Sequence, residues 1–288
     1  MDQRLKVLKT YKIYVDGKFP RTESGRYLPF RAKTGEEVAN VCNCSRKDFR
    51  DAVTAARAAQ AKWAKATAYN RGQILYRIAE MLEGRRAQFV EELIQQGLDA
   101  AAASRGVDLS VDRLVHYAGW SDKYQQIFSS VNPVASSHFN FSLLEPMGVI
   151  SVIAPNESPL LGLVTVIAPA IVGGNTVVAL ASESMPLSAV TFGEVLATSD
   201  VPAGVVNILT GTRKELLGHM TTHMDANAVV YCGEGGEELK TVETNASLNV
   251  KRVATWKSVS WGDADATESP YRIAELQETK TTWHPIGL

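Results

Sequence analysis

Three cysteines, Cys42, Cys44 and Cys232, are the residues of this chain that could act as nucleophiles, disulfide partners or metal ligands. Cys42-Asn43-Cys44 sets two thiols on one face of a strand, because successive strand side chains alternate. A zinc-type site needs a cluster of Cys and His ligands, and none lies near this pair in the sequence. An odd, sparse set of cysteines is no disulfide framework. The expectation is two strand thiols, no metal site and a reducing, cytoplasmic setting. The basic pairs Arg46-Lys47, Arg85-Arg86 and Lys251-Arg252 are too short to form a binding stripe. With a net charge of -1 and well-mixed charges, neither a nucleic-acid partner nor an acidic solvating tail is expected.

The elements that would position any chemistry are legible in the hydrophobic pattern. The 288 residues, 45% of them hydrophobic, suffice for one large or two modest domains. The N-terminal MDQRLKVLKTYKIYVDG has no apolar signal core. The stretch from Leu160 to Val172 is shorter than the ~20 residues of a membrane span and is interrupted by Gly162 and Pro169. A soluble protein without a membrane partner is expected. Asp16-Gly17 between alternating apolar residues predicts a short hairpin. Ser45, with Asp48 three residues on, predicts a capped helix start. Ile74, Leu75, Ile78, Ala79 and Leu82 predict one apolar face of a second helix. A third helix is expected over roughly 87–97 and a fourth from about Asp108 to Phe128.

From Met147 the pattern changes to strand–helix alternation. The apolar run 148–155 reads as a strand buried on both faces, and 175–182, 204–211, 227–233 and 250–254 read as further strands. Helices are expected between them, over 160–171, 187–198, 214–223 and 237–246. This rhythm predicts an α/β fold, a Rossmann-like doubly wound parallel sheet with right-handed crossovers, preceded by N-terminal helices. Ligands of such sheets bind outside the carboxyl ends of the strands. The segments to inspect are therefore Ala154 to Pro159, Leu180 to Pro186, Thr210 to Arg213 and Cys232 to Gly236.

Several segments resemble the NAD(P)-dependent aldehyde dehydrogenase superfamily. They are YKIYVDGKF, the helix AVTAARAAQAKWAKATAYNRGQILYRIAEMLEGRR, HYAGWSDKY, EPMGVISVIAPNESPLLGLVTVIAPAIVGGNTVVAL and VPAGVVNILTG. They occur in the family's order across roughly residues 11 to 253. The resemblance implies a cofactor domain over 1–255 with an oligomerisation hairpin at about 131–149. A polar tail and a C-terminal oligomerisation strand would make up 256–288, with the catalytic domain absent.

The family's functional positions are the ones that differ. Its Pro-Trp-Asn-Phe-Pro, whose Asn amide stabilises an oxyanion, is here Pro155-Asn156-Glu157-Ser158-Pro159. Glu157 puts a carboxylate where negative charge would develop, the reverse of an oxyanion hole, and Asn156 stands one position early and points elsewhere. The Lys-Pro-Ala-Glu beside the cofactor ribose is here Leu180-Ala181-Ser182-Glu183. Leu180 has no hydrogen bond to offer and reads as core, leaving Glu183. The Phe-Thr-Gly-Ser turn against the pyrophosphate is here Tyr231-Cys232-Gly233-Glu234. A Glu234 carboxylate ~4 Å from a phosphate costs about 4 kcal/mol at an effective dielectric of ~20, roughly a thousandfold in affinity. At a helix N-terminus the same group is favoured by the dipole, which predicts that Glu234 takes an anion's place there. The family's Leu-Glu-Leu-Gly-Gly base segment and its nucleophilic Cys motif do not follow, and Cys232 stands where the family has Thr.

The resemblance thus implies a catalytically inactive subunit with no catalytic residue, no metal and no required cofactor. Its partner would be itself or an active aldehyde dehydrogenase subunit. Weak, vestigial NAD(P) contacts would come from Glu183, Gly204 and Gly233, as in the cofactor-binding part of a split enzyme. A third possibility is a module holding another ligand at the sheet's carboxyl edge, near Arg213 and Lys214.

Overall fold

The structure, a computed structural model, describes residues 7–287. The N-terminal strands β1 (Lys9–Tyr11), β2 (Tyr27–Arg31) and β3 (Glu37–Cys42) form a small mixed sheet in the order β1-β3-β2. Then come α1 (Arg46–Ala64), α2 (Ala68–Gly84), α3 (Arg86–Gln95), α4 (Ala100–Trp120) and the single turn α5 (Tyr124–Phe128). Ser45 and Asp48 close the expected capping box on α1. The predicted apolar face of α2 is buried. The fourth helix begins eight residues earlier than Asp108, because the Asp99 side chain accepts the Ala102 N–H at 2.8 Å and starts the alanine-rich turn. It ends at Trp120, and α5 stands apart.

The chain continues through β4 (Ser130–Asn132), β5 (His138–Pro146), β6 (Val149–Ile153), α6 (Leu161–Val172), β7 (Thr176–Leu180), α7 (Leu187–Ala197), β8 (Val206–Leu209), α8 (Arg213–Thr222), β9 (Ala228–Tyr231), α9 (Gly236–Ser247) and β10 (Arg252–Thr255). The five later strands form one wholly parallel sheet in the order β10-β9-β6-β7-β8. Every residue of β6, β7, β8 and β9 is buried, as unbroken apolar runs require. The chain winds outward from β6 to β8, then crosses to β9, so the direction reverses between β6 and β9.

The Asp16-Gly17 turn forms with both residues at positive φ and pairs Val15 with Lys18. It extends no further as a hairpin. Tyr14 instead exchanges two backbone bonds with Ile208 of β8, at 2.9 and 2.7 Å, and Asn207 Oδ1 accepts the Asp16 N–H at 3.0 Å. The turn thereby covers the edge of the main sheet.

Segment 256–276, expected as polar, contributes Trp256, Trp261, Ile273 and Leu276 to the main core. It holds two single turns, α10 (Ala264–Thr267) and α11 (Tyr271–Ala274), before β11 (Gln277–Pro285). Tyr117 Oη on α4 donates to the Thr267 carbonyl at 2.6 Å. The fully buried Arg113 pairs with Glu268 at 3.4 Å. β11 pairs antiparallel with β5 over nine residues of this same chain, and β4 pairs with the other side of β5.

One buried carboxyl ties the N-terminal strands to the helices. Glu92 on α3 accepts from Tyr11 Oη at 2.6 Å and from Thr191 Oγ1 of α7 at 2.9 Å, both on Oε1. Its Oε2 has no hydrogen-bond partner among the described residues. Burial pushes this carboxyl above the usual carboxylate range, against the two donors and Lys9, which pull it down. A raised folded-state pKa gives stability that is full below the unfolded value and lost as pH rises through the folded one. Glu92→Gln is expected to remove that component, so that its melting temperature falls less than the native chain's between pH 5 and 8. Thermal melts across that range check it, and parallel slopes would sink the assignment.

Candidate functional site at the carboxyl edge of the sheet

Three of the four loops expected to matter meet where the sheet reverses direction. A cleft of about 420 Å³ opens beyond β6 and β9, lined by Asn156, Glu157, Arg213, Tyr231, Cys232, Gly233, Glu234, Gly235 and Glu238. Its centre is a network built by this chain's own side chains. Arg213, at the start of α8, is largely buried and donates to the Ala154 carbonyl at 2.7 Å and to Glu238 Oε2 at 3.2 Å. Tyr231 Oη, at the end of β9, donates to the same Glu238 oxygen at 2.7 Å. Burial first, then the bond to Glu238 and its charge, push the Tyr231 phenol up to about 12. The phenol therefore stays protonated as a donor.

Gly233 has a local reason. A Cβ there would lie 2.2 Å from Tyr231 Oη and 2.3 Å from the ring, so only glycine lets the ring fold over the turn. Gly235, at φ 105°, is the N-cap of α9, and no side chain caps that helix. Glu234 is exposed and lines the cleft, but it does not take the place of an anion on the α9 amides, contrary to the expectation from the dipole. It belongs to an acidic rim with Glu157 and Glu238.

Glu157 faces the cleft, and its Oε1 accepts the Trp261 indole N–H at 2.8 Å. Asn156 turns its carbonyl oxygen toward the loop after β7, where Oδ1 accepts the Glu183 N–H at 2.9 Å. Glu183 sits over the start of α8, its Oε2 accepting the Arg213 N–H at 3.1 Å. That is the dipole-favoured place for a carboxylate, and the group there serves the helix. Leu180 is wholly buried in the core on one face of the sheet.

Gly204 is not brought to this site. It precedes β8, at the amino ends of the strands, with φ +82° and a Cβ position 2.5 Å from the Ala55 carbonyl oxygen. It lets α1 approach the sheet closely. Cys232 lines the cleft but is 3% exposed, and burial raises its thiol far above the ordinary range; Cys44 is raised for the same reason. Neither is a ready nucleophile, since the thiolate is the reactive form. Among the described residues no group of three His, Cys, Asp or Glu side chains converges as a metal site, and no helix is long and apolar enough to cross a membrane.

Nothing in the sequence marks Glu238. It looks like one of two ordinary acids in a helix's first turn, favoured there by the dipole. Its partnership with Tyr231 depends on the glycine turn folding the helix start back over the strand end.

A parallel five-stranded sheet of this winding, with its cleft at the reversal point, defines a dinucleotide-binding type of α/β fold. Residues 21–255 match the aldehyde dehydrogenase family, and the chain belongs to that family. It is 34% identical over 253 residues to retinal dehydrogenase 2 of Gallus gallus, covering 85% of this chain and 48% of that protein. It is 30% identical over 249 residues to a putative aldehyde dehydrogenase of Bacillus subtilis, covering 85% and 50%. Among solved structures it is similar to the NAD+ complex of an aldehyde dehydrogenase from Bacillus cereus, with TM-score 0.82 and 25% identity, covering 86% of this chain and 50% of that one. The chain thus spans about half the length of the relatives it matches.

A dinucleotide's pyrophosphate would have to lie against the α9 N-terminus in this cleft. The residues present do not fit it. The rim is acidic, and the one cation among the described residues that line it, Arg213, is already held by Glu238 and the Ala154 carbonyl.

Proposed function

We propose that this chain is a catalytically inactive aldehyde dehydrogenase-like subunit with a structural role in an oligomer, assembled with itself or with an active aldehyde dehydrogenase. The observation that carries the reading is the cleft: an Arg213–Glu238–Tyr231 network lines it together with the acids Glu157 and Glu234. A carboxylate at Glu157 opposes an oxyanion, and the acids repel a pyrophosphate. Assembly is supported by the outer face of the three-stranded arm, where Val131, Phe139 and Leu143 remain exposed. An uncovered apolar strand face is an association surface.

The uncapped start of α9 favours a second reading, a weak NAD(P)-binding part of a split enzyme. Calorimetry with NAD+ and NADP+ at near-physiological salt separates the two. The expected result is no heat up to millimolar cofactor, no aldehyde oxidation by the purified chain, and a light-scattering mass above that of one 31.3 kDa chain. Micromolar cofactor binding would overturn the inactive reading in favour of the split enzyme, and a monomer that captures no active subunit would remove the structural role.

A further inference from the structure

A second cleft lies away from the strand ends, between α1 and the far end of α8. It has a volume of about 390 Å³ and is lined by Arg46, Phe49, Arg50, His219, Thr222 and His223. We propose that it binds the phosphate group of a small soluble anion.

Arg46 and Arg50 are four residues apart and share one face of α1. His219 lies in the last turn of α8, and His223 is its C-cap. No carboxylate lines the cleft. Of four acids nearby, three are engaged elsewhere and one, Asp51, pairs with Arg50 of the cleft. Asp48 accepts the N–H groups of Glu23 and Ser45 at 2.8 and 2.7 Å. Asp51 is on Arg50 at 2.7 Å, Glu215 on Arg26 at 2.9 Å, and Asp225 on Arg57 at 2.8 Å. The Asp51 pair lies between exposed side chains and holds Arg50 only weakly.

The side chains of Arg46 and His219 have no hydrogen-bond or ion-pair partner among the described residues. His223 Nδ1 accepts the Asp225 N–H at 3.2 Å, which leaves the proton of the neutral ring on Nε2 as a donor. The ring is held edge-on to Phe49, with centroids 5.5 Å apart, and Phe49 forms a buried floor without competing acceptors. Burial holds the His223 imidazole below its ordinary range, and the Lys251 and Arg46 charges add to this against Asp225. Arg46 lines the same cleft. The α1 amides are not part of the site, since Ser45 takes the N–H groups of Lys47 and Asp48. Two guanidinium groups, of which only Arg50 carries a counter-charge, in its exposed pair with Asp51, together with the imidazoles suit a compact dianion.

The test is calorimetry of the full chain with inorganic phosphate, then pyrophosphate. Saturable binding is expected, weakened about tenfold or more by Arg46→Ser and by His219→Asn. Both positions lie outside the core, and circular dichroism confirms that each variant is folded. No saturable heat up to tens of millimolar phosphate would overturn the site, as would unchanged affinity in both variants. Loss on Arg213→Gln instead would place the anion in the sheet-edge cleft and overturn it too. Binding only to phosphoinositide vesicles, with none to free phosphate, would replace the soluble ligand with a membrane surface.

Discussion

A Glu234→Ser/Glu238→Gln chain is expected to bind NAD+ measurably, and the native chain is expected to give no saturable heat. Each carboxylate near the pyrophosphate position costs between about 1 kcal/mol in a water-like medium and about 4 kcal/mol at an effective dielectric of ~20, for a separation of ~4 Å. Glu234 is exposed, so solvent places it at the low end, near tenfold in affinity. Glu238 should matter more. Its carboxylate holds both the Arg213 guanidinium and the Tyr231 hydroxyl. Exchanging that carboxylate for a neutral amide removes the charge and weakens its hold on two donors beside the uncapped start of α9. Together the changes are expected to gain about a hundredfold or more, seen as a saturable calorimetric titration. If the double variant stays silent, the acids are not what closes the cleft. No aldehyde oxidation is expected to return, because Cys232 stays buried and Glu157 stays in place.

The main sheet was legible because its strands are buried on both faces, and continuous apolar runs such as Val149–Ile153 have few other uses. The rule that such a sheet binds ligands outside the carboxyl ends of its strands picks out the loops at 154–159, 210–213 and 232–236, which do converge. What goes on inside the cleft was not legible. Arg213 and Glu238 are 25 residues apart and meet only because α8 and α9 both start at the strand ends. The family resemblance implies a vestigial cofactor contact at Gly204, yet the requirement for glycine there is the close approach of α1. The Asp16-Gly17 turn was correctly a turn, but a turn signal does not say what the flanking residues pair with, and here Tyr14 found β8. Residues 256–276 misled for a different reason. Their apolar residues follow neither a period of two nor of 3.6, because two single turns, α10 and α11, interrupt the path.

Trp256→Ala tests whether that irregular segment is part of the fold or an appendage to it. Trp256 is 2% exposed and stacks on Trp261 with centroids 6.2 Å apart. The Arg272 guanidinium lies 4.2 Å over its ring, and its indole N–H donates to Glu275 at 3.0 Å. Truncating a buried tryptophan costs about 3–5 kcal/mol through lost transfer energy and the cavity left behind. Total stability of a domain is only about 5–15 kcal/mol, so the loss is a large share of it. At about 2–4 °C per kcal/mol for a chain of this size class, the melting temperature should fall by roughly 10 °C. Amide exchange should rise along 256–276, and with it in α4, whose Tyr117 and Arg113 hold Thr267 and Glu268. The position of Glu157 should loosen as well, since Trp261 is its hydrogen-bond partner. Faster exchange confined to 256–276, with an unchanged melting temperature, would show instead that the segment lies on the core without supporting it. The aromatic pair would then be a cover over the Glu157 side of the cleft, separable from the stability of the sheet.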